Sequence, residues 1–551
     1  MAQGSSSSED VEAALVRSIV MLDPVLGTFA GIEGQHNGLL PPTGPEVRQR
    51  IICEARAQAQ TMHERVAGAS PDEQIDADLA LGGVRGLEIL EGALHCFDRD
   101  PDWYVNSAVQ GIYALLLWTD LHERTRLEHM IARLEAVPGF LKTGMAQIVS
   151  PPEVLLDNAE GDAEGAVDFF GDDLAKFIAE VQDPATRERL SQGRQRSLQA
   201  LQEFRRFLET VRPNSTQDFA IGREAFDALL TDVHRLPLQS HELLEMGFEI
   251  SARTEAEMVD LSQQCAGHPR WWEALEALKG RHPSREGLLD ACRDMTLQAE
   301  RFAREVNLVD MSNTGPLIIR ETPAFARTNL PFAAYIQAPP MAASGNSEFW
   351  VTPIADGLEP EALERALQRR HIGKQMISAV HEAYPGHHLQ ACYGATVKRP
   401  LRHLFASTLL LEGWALYCED LMMREEFLAD DPQAGLLRIF QLCFSLYRSL
   451  RIVIDVSLHC GGMTRQQAVE LLVDRHVLSE GEAEAEVMYY CSAPTQPMSY
   501  TVGKVLVQRL VERCLAEDPQ GGLAAAHRRV LAPGLLPYPL LERAMGLSHQ
   551  G

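Results

Sequence analysis

The chain has 551 residues, of which 45% are hydrophobic and 23% are charged, the usual composition of a globular protein with a sizeable core. It carries 50 lysines and arginines against 77 aspartates and glutamates, so its formal net charge is −27. A surface this acidic repels phosphate backbones and anionic lipids, and no apolar run is long enough to span a bilayer, so we expect neither nucleic acid nor membrane as a partner.

The N-terminus contains a serine run, and residues 1–10 are expected to be disordered. These residues lack the basic start, the apolar run and the cleavage site of a secretory signal. The ten cysteines form no CxxC motif, and several lie within apolar patterns, which favours reduced and packed thiols. A cytoplasmic protein is therefore expected.

Helical periodicity dominates the remaining sequence. Apolar residues recur at three- and four-residue spacing over residues 78–96, 106–131, 194–211, 224–233 and 283–306. Clusters of proline and glycine predict breaks near residues 34–45, 150–171 and 314–360.

The last of these breaks also predicts a small β element. Residues 317–320, 333–337 and 348–354 are short runs rich in β-branched or aromatic residues. The predicted fold is therefore mainly α, with one large helical body over residues 11–551 and a small β element around residues 317–354. A possible subdivision would separate a helical N-terminal part, residues 11–312, from a metal-site part, residues 313–551.

The segment HEAYPGHH, residues 381–388, ends a helix predicted over residues 361–384. Zinc hydrolases commonly use HExxH, in which two histidines share one helical face and the glutamate acts as a base. In this chain the second histidine follows six or seven residues after the first, too far around an unbroken helix. Pro385 opens the helix and Gly386 frees the turn, so two residues can loop out. We therefore predict His381 and His387 as ligands, with His388 as the reserve.

Glu412 is the candidate third ligand. It lies within STLLLEGWALYCEDLM, residues 407–422, an apolar helical stretch in which an unpaired buried carboxylate is costly. Glu419 follows seven residues later on the same face and is expected to orient a ligand histidine. Two imidazoles and a carboxylate with an open position are typical of catalytic zinc. The structural alternative is that Glu412 pairs with Arg448 or Arg451.

These motifs resemble those of the DUF885 family. HEAYPGHHLQ and LEGWALYCEDLM carry the resemblance, together with LDPVLGTFAGIEGQHNGLLPP near the start, RLEAVPGFL at residues 133–141 and APTQPMSYTVGK at residues 493–504. It covers nearly the whole chain. It implies a helical, zinc-dependent, peptidase-like enzyme with a long cleft across one zinc ion, held by His381, His387 and Glu412.

The resemblance also implies a reaction. Zinc would polarise the substrate carbonyl and lower the pKa of its bound water towards about 7. Glu382 would take the proton as water attacks and pass it to the leaving amine. For the donor to the developing oxyanion, Tyr500 is the first candidate and His459 the second. The alternative for Tyr500 is a buried tyrosine with a structural hydrogen bond.

Substrate contacts are predicted at three places. Arg451 or Lys504 would hold a substrate carboxylate, although Arg451 also lies four residues before Asp455 and would pair with it on one helix. The edge of the β element would hold an extended peptide through main-chain hydrogen bonds.

The leading functional hypothesis is a zinc-dependent hydrolase that cleaves an amide or peptide bond in a peptide or a peptide-like small molecule. Two histidines and a carboxylate also form the metal site of non-haem iron oxygenases, so an oxidative tailoring enzyme is an alternative. A third hypothesis is a catalytically silent helical binding protein. Glu382 favours hydrolysis, because an oxygenase has no general need for this base.

Overall fold

The computed structural model describes residues 8–547 apart from residues 67, 313, 324, 325, 328, 329, 331, 343 and 344. The helices before the sheet are α1 (Ser8–Leu22), α2 (Pro24–Phe29), α3 (Pro45–Glu64), α4 (Pro71–Leu94), α5 (Cys96–Arg99), α6 (Pro101–Leu117), α7 (Glu123–Gln147), α8 (Glu153–Asp168), α9 (Leu174–Ala179), α10 (Pro184–Val211), α11 (Arg223–Ala228), α12 (Ser240–Ala266), α13 (Trp271–Ala274), α14 (Glu276–Lys279) and α15 (Leu288–Glu305).

A three-stranded sheet interrupts the helices, as the sequence predicts. Its strands are β1 (Leu317–Glu321), β2 (Ala333–Ile336) and β3 (Ser347–Val351), in the order β1-β3-β2. The central strand β3 pairs with β1 in parallel and with β2 antiparallel, and Tyr335 lies opposite Phe349. One edge of β2 is left facing the helix that carries the HEAYPGHH motif.

The helices after the sheet are α16 (Pro360–Gln368), α17 (Ile372–Ser378), α18 (His387–Gly394), α19 (Pro400–Leu404), α20 (Thr408–Arg424), α21 (Ala434–Cys460), α22 (Arg465–Asp474), α23 (Glu480–Ser492), α24 (Ser499–Glu517), α25 (Gly522–Leu531) and α26 (Tyr538–Ala544). Single π-helical turns lie at Phe169–Asp173, Leu229–Val233 and Ala379–Ala383, and 3₁₀ turns lie at Gln35–Gly38 and Arg212–Asn214.

The fold is mainly α with a small β element, and its core joins distant parts of the chain. The largest cluster of buried apolar residues includes Val11 and Leu547, so both ends of the described chain pack into it. The same cluster crosses the possible boundary at residue 312. None of the helices in the described part of the chain is both long and apolar enough to cross a membrane.

Helices α20 and α24 approach each other unusually closely. A Cβ atom on Gly413 would lie 2.2 Å from the backbone of Gly503, so only glycine fits at this crossing. Glu412 precedes the first of these glycines and Tyr500 lies one turn before the second. The crossing therefore brings both candidate site residues to one cleft.

Four sequence-based predictions of local structure are wrong in part. Residues 8–10 are helical, not disordered, because α1 begins at Ser8; residues 1–7 lie outside the described chain. The helix predicted over residues 106–131 is two helices, α6 and α7. Trp118 and Leu121 are buried in the turn between them. The apolar pattern continues across this turn because both helices bury their faces in the same cluster.

The break predicted at residues 150–171 is largely helix α8. Its glycines each weaken a helix by about 1 kcal/mol, but the burial of Val154, Leu156 and Ala163 offsets this cost. The helix predicted over residues 361–384 is interrupted at residues 369–371, where the His371 side chain accepts a hydrogen bond from Gly373 N and starts α17 anew.

Candidate metal centre

The local break after His381 determines where the two candidate ligand histidines lie. Tyr384 N and Gly386 N donate to the carbonyls of Ala379 and Val380, which closes a wide turn instead of continuing the helix. A Cβ atom on Gly386 would lie 2.0 Å from the carbonyl oxygen of His381, so glycine is required in this turn. Helix α18 then begins at His387, and the rings of His381 and His387 lie 4.7 Å apart, centroid to centroid.

Glu412 completes a group of three potential ligands. Its Oε2 atom lies 3.7 Å from Nε2 of His381 and 3.7 Å from Nε2 of His387. The ligand atoms of the three residues all lie within 4.8 Å of one another. Four-coordinate zinc with bonds of about 2 Å separates neighbouring ligand atoms by about 3.3 Å, so a small contraction would fit the ion.

The hydrogen bonding also fits a metal ion. Glu412 Oε2 is buried and receives no hydrogen bond from the described residues, and a lone buried carboxylate oxygen is costly. The two Nε2 atoms are too far away to serve as hydrogen-bond donors to it. A cation between the three side chains would give Glu412 Oε2 and the two Nε2 atoms a common partner. His387 Nδ1 is buried and has no hydrogen-bond partner among the described residues.

Glu419 lies behind His381, as the sequence predicts. Its Oε1 atom is 2.7 Å from His381 Nδ1, and because a carboxylate only accepts, the histidine donates from Nδ1 and turns the Nε2 lone pair towards Glu412. Arg448 Nη2 lies 3.3 Å from the same oxygen and balances its charge. Arg448 is thus the partner of Glu419, not of Glu412.

The charges around His381 and Glu419 shift the pKa of both residues. Burial lowers the pKa of His381, but Glu412 and Glu419 outweigh burial and raise it to about 9 in the absence of an ion. Burial raises the pKa of Glu419, but the charge of Arg448 and the hydrogen bond to His381 keep it below its ordinary value. A bound cation would replace the proton on Nε2 of His381.

His388 is turned away from this group. Its Nε2 atom lies 3.1 Å from the carbonyl oxygen of Gly315, and its ring meets the edge of Tyr384. Of the two neighbouring histidines, His387 is therefore the one that joins His381 and Glu412.

Glu382 lies beside the three potential ligands and lines the same cavity. Its Oε2 atom accepts a hydrogen bond of 3.2 Å from the backbone N–H of Tyr335, in the free edge of β2. The sheet thus holds the candidate base. The sequence does not predict this contact, because the donor is a backbone N–H group and not a particular side chain.

Tyr500 also lines the cavity, with its ring stacked at 6.5 Å on that of His381. The guanidinium groups of Arg451 and Arg448 lie 4.7 Å and 5.5 Å from the centre of the Tyr500 ring. Burial and Glu412 raise the pKa of Tyr500, so its hydroxyl keeps its proton and can donate.

Two other predicted site residues are engaged elsewhere. His459 is buried, with Nε2 2.9 Å from the Tyr490 carbonyl oxygen, and is not among the described residues that line the cavity. Lys504 Nζ lies 3.5 Å from Oδ2 of Asp420, a carboxylate that also pairs with Arg424 and Arg438, and Lys504 is not among the described residues that line the cavity. The second candidate for the oxyanion donor and one candidate carboxylate anchor therefore lie outside the cavity.

Arg451 does not pair with Asp455. Its Nη2 atom lies 3.1 Å from Glu486 Oε2 and donates to the Tyr447 hydroxyl. Asp455 instead accepts backbone hydrogen bonds of 3.2 Å from Thr495 and Met498. The pairing predicted from the i,i+4 spacing is wrong, because α23 and the turn before α24 supply Arg451 and Asp455 with partners from distant parts of the sequence.

The cavity around these groups has a volume of about 350 Å³. Four groups of residues form its walls: the side chains of the candidate metal centre, strand β2 with the residue that follows it, one face of α18, and residues from α19, α20 and the loop before α26. They comprise His381, Glu382, His387, Glu412 and Tyr500; Ala333, Ala334, Tyr335 and Gln337; Gln390, Ala391 and Gly394; and Arg402, His403, Leu411, Gly534 and Leu535.

The fold is shared with two solved structures. A structure described as "a putative lipoprotein of unknown function" from Shewanella oneidensis has a TM-score of 0.80 and 22% identity, over 98% of this chain and 100% of that chain. A second, described as "the putative lipoprotein" from Colwellia psychrerythraea, has a TM-score of 0.80 and 17% identity, over 98% of this chain and 99% of that chain. At these identities the likeness shows the fold alone. No curated protein matches the chain.

A family model covers almost the whole sequence. The model, described as "Bacterial protein of unknown function (DUF885)", matches residues 24–545. The match includes every residue of the candidate metal centre. The chain therefore belongs to the DUF885 family.

Proposed function

We propose that this protein is a zinc-dependent hydrolase that cleaves an amide bond in a peptide or a peptide-like small molecule. The observation that carries the proposal is the carboxylate of Glu382 beside the group formed by His381, His387 and Glu412. A metal site that serves structure alone has no use for an additional carboxylate facing the same cavity.

One zinc ion held by these three residues would supply Lewis-acid chemistry, polarising a carbonyl group and making water more acidic. Glu382 accepts the proton of the attacking water and later gives it to the leaving nitrogen. The N–H of Tyr335 holds the carboxylate of Glu382 in position for both transfers. Tyr500 donates from its hydroxyl to the oxygen on which negative charge develops.

Strand β2 favours a substrate with a peptide backbone. Thr352 N donates to Phe332 O across the β2–β3 pair, so the main-chain groups of alternate residues 332, 334 and 336 face β3. Those of Ala333, Tyr335 and Gln337 therefore face the cavity. An extended substrate can bind along this edge through the main-chain groups of Ala333 and Gln337 and the carbonyl of Tyr335, with its scissile carbonyl next to Glu382, while the Tyr335 N–H stays bonded to Glu382.

The test compares the zinc-loaded protein with a Glu382→Gln variant on a mixed peptide library, with products identified by mass spectrometry. We expect the parent protein to cleave peptides and Glu382→Gln to retain zinc but lose at least about 100-fold in rate. Zinc-loaded parent protein that cleaves no peptide or other amide would contradict the proposal. Iron in the purified protein, together with an oxidised product, would favour the oxygenase alternative.

A separate variant tests whether the substrate binds along the edge of strand β2. Ala333→Pro removes an outward N–H without breaking a β2–β3 hydrogen bond, since proline is tolerated at the start of an edge strand. We expect a higher KM for long peptides and a smaller change for dipeptides. Equal effects on both would argue against binding along β2.

We also propose that the protein is cytoplasmic. All ten cysteines are free thiols, the usual state in a reducing compartment. The description as lipoproteins belongs to the two similar structures.

A further inference from the structure

The cavity continues beyond the metal centre along one face of α18. Gln390, Ala391 and Gly394 follow His387 by three, four and seven residues, so they lie on the same side of the helix, and all of them line the cavity. Leu411 forms part of the facing wall. Seven helical residues span about 10 Å, so the extension along α18 is long enough to take an amino-acid side chain.

Small and apolar residues form much of the lining of the extension. Ala391 and Gly394 present almost no side chain, and Leu411, Gly534 and Leu535 supply apolar atoms. A Cβ atom placed on Gly394 would meet no atom of the described residues within 4 Å, so there is open space beside this residue.

Among the described residues that line the extension, Arg402 is the one permanent cation, and its charge is already neutralised. Arg402 donates from Nε to Asp76 at 2.6 Å and from Nη2 to Asp72 at 2.7 Å, and its Nη1 atom donates to the carbonyl oxygen of Pro533 at 3.0 Å. These three bonds occupy every nitrogen of the guanidinium group. Arg402 is also only 4% exposed, so it offers no free charge to a ligand.

The remaining polar groups are also uncharged. His403 Nε2 lies 2.7 Å from the carbonyl oxygen of Val397, and burial lowers the pKa of this histidine, so the ring is neutral. The amide of Gln390 donates to the carbonyl oxygen of Leu410 at 2.9 Å. The carboxylates of the cavity, Glu382 and Glu412, belong to the metal centre.

We propose that this extension is a specificity pocket that binds an uncharged aliphatic side chain of the substrate residue adjoining the cleaved bond. The proposal rests on the proposed hydrolase function, since the metal centre fixes the position of that bond. An aliphatic side chain gains from burial against the apolar walls. A charged side chain would lose its hydration there without finding an opposite charge.

The test measures binding by calorimetry, so that it does not depend on turnover. The probes are the hydroxamates of glycine, leucine, lysine and glutamate, which chelate zinc and differ only in the side chain that they present beside it. The zinc-loaded parent protein is compared with Gly394→Leu and Ala391→Leu, which fill the extension. Gly161→Leu is the matched control, because Gly161 is an exposed residue within α8 whose Cβ would also meet no atom within 4 Å.

We expect the parent protein to bind leucine hydroxamate at least about tenfold more tightly than the glycine compound, and the charged compounds no more tightly than glycine. Both filling variants should lose this preference while their affinity for glycine hydroxamate stays the same. The Gly161→Leu control should behave like the parent protein.

Equal affinities for all four compounds, or an unchanged preference in both filling variants, would overturn the specificity pocket and leave the hydrolase proposal standing. Absence of binding by all four, together with absence of peptide cleavage, would overturn the metal-centred function and this inference with it.

Discussion

Glu419 carries its charge in the interior, where its side chain has no exposed area. Two neighbours make this possible: His381 donates to it at 2.7 Å, and Arg448 lies 3.3 Å away. The carboxylate in turn fixes the ring of His381. Such residues behind the ligands commonly decide how well a preformed site holds its ion.

Replacing Glu419 should therefore weaken metal binding without removing a ligand. In Glu419→Gln the amide can no longer compel His381 to donate from Nδ1, and we expect zinc affinity to fall by about 10–100-fold. Competition with a fluorescent chelator measures this change. Glu425→Gln, an exposed acid just beyond the same helix, is the control and should match the parent. Unchanged affinity in Glu419→Gln would contradict the orienting role.

Arg448 should matter for folding because it neutralises Glu419. Arg448→Met keeps an apolar stem but leaves the carboxylate buried without its cation, and we expect the free energy of unfolding to fall by about 3–5 kcal/mol. Chemical denaturation of metal-free protein measures this loss. The double variant Arg448→Met/Glu419→Gln should lose less than the sum of the single variants, and strict additivity would refute the pairing.

Single residues were predictable where local geometry decides their position. The helix break at Pro385 and Gly386 distinguishes His387 from His388, and the apolar surroundings single out Glu412. The positions of His459 and Lys504 were not predictable, because their partners lie 31 and 84 residues away in the sequence. No local pattern encodes such partners.

At the scale of elements, the turn between the π-helical turn Ala379–Ala383 and α18 sets the distance between the two histidines. Gly386→Ala would push a methyl group into the carbonyl oxygens of His381 and Val380, 2.0 Å and 2.3 Å away. We expect this variant to lose stability, by about 2 kcal/mol or more, and to bind zinc weakly.

Gly394→Ala is the matched control for this variant, since its methyl group meets no atom within 4 Å at the other end of α18. Thermal unfolding and zinc titration compare the two. Normal zinc binding by Gly386→Ala would show that this turn does not position His387.

The small sheet was predictable from its short β-branched and aromatic runs, whereas helix ends were not. The turn between α6 and α7 contains no proline or glycine, and it exists because Trp118 and Leu121 are buried there. Helix α8 forms despite its glycines because its apolar face packs into the core. In both places tertiary packing overrides local preference.

Across the whole molecule, buried histidines make stability depend on pH. Burial lowers the pKa of His234, His459 and His527 to about 4, from an ordinary value of 6.5. In the unfolded chain these rings take up protons below pH 6.5, but in the folded protein they do not until about pH 4. Stability is therefore complete above pH 6.5 and falls as pH decreases towards 4.

Asp455 acts in the opposite direction to the three histidines. Burial raises its pKa to about 8, so this group by itself would make stability fall as pH rises between about 4 and 8.

A variant at a single histidine separates these contributions. His234→Gln can keep the hydrogen bond to Thr495 but cannot titrate. Between pH 7 and pH 4 the unfolding free energy of the parent should decrease. We expect the decrease in His234→Gln to be smaller, by up to about 3 kcal/mol. Parallel pH profiles would contradict a neutral buried His234.

The metal content of the purified and zinc-reconstituted protein tests the proposed zinc site most directly. Elemental analysis measures it beside His387→Ala, Glu412→Ala and His388→Ala. We expect about one zinc ion per chain in the parent and in His388→Ala, with zinc lost from the other two variants. A parent protein that binds no metal after reconstitution, or a Glu412→Ala variant that keeps its zinc, would contradict the proposed site.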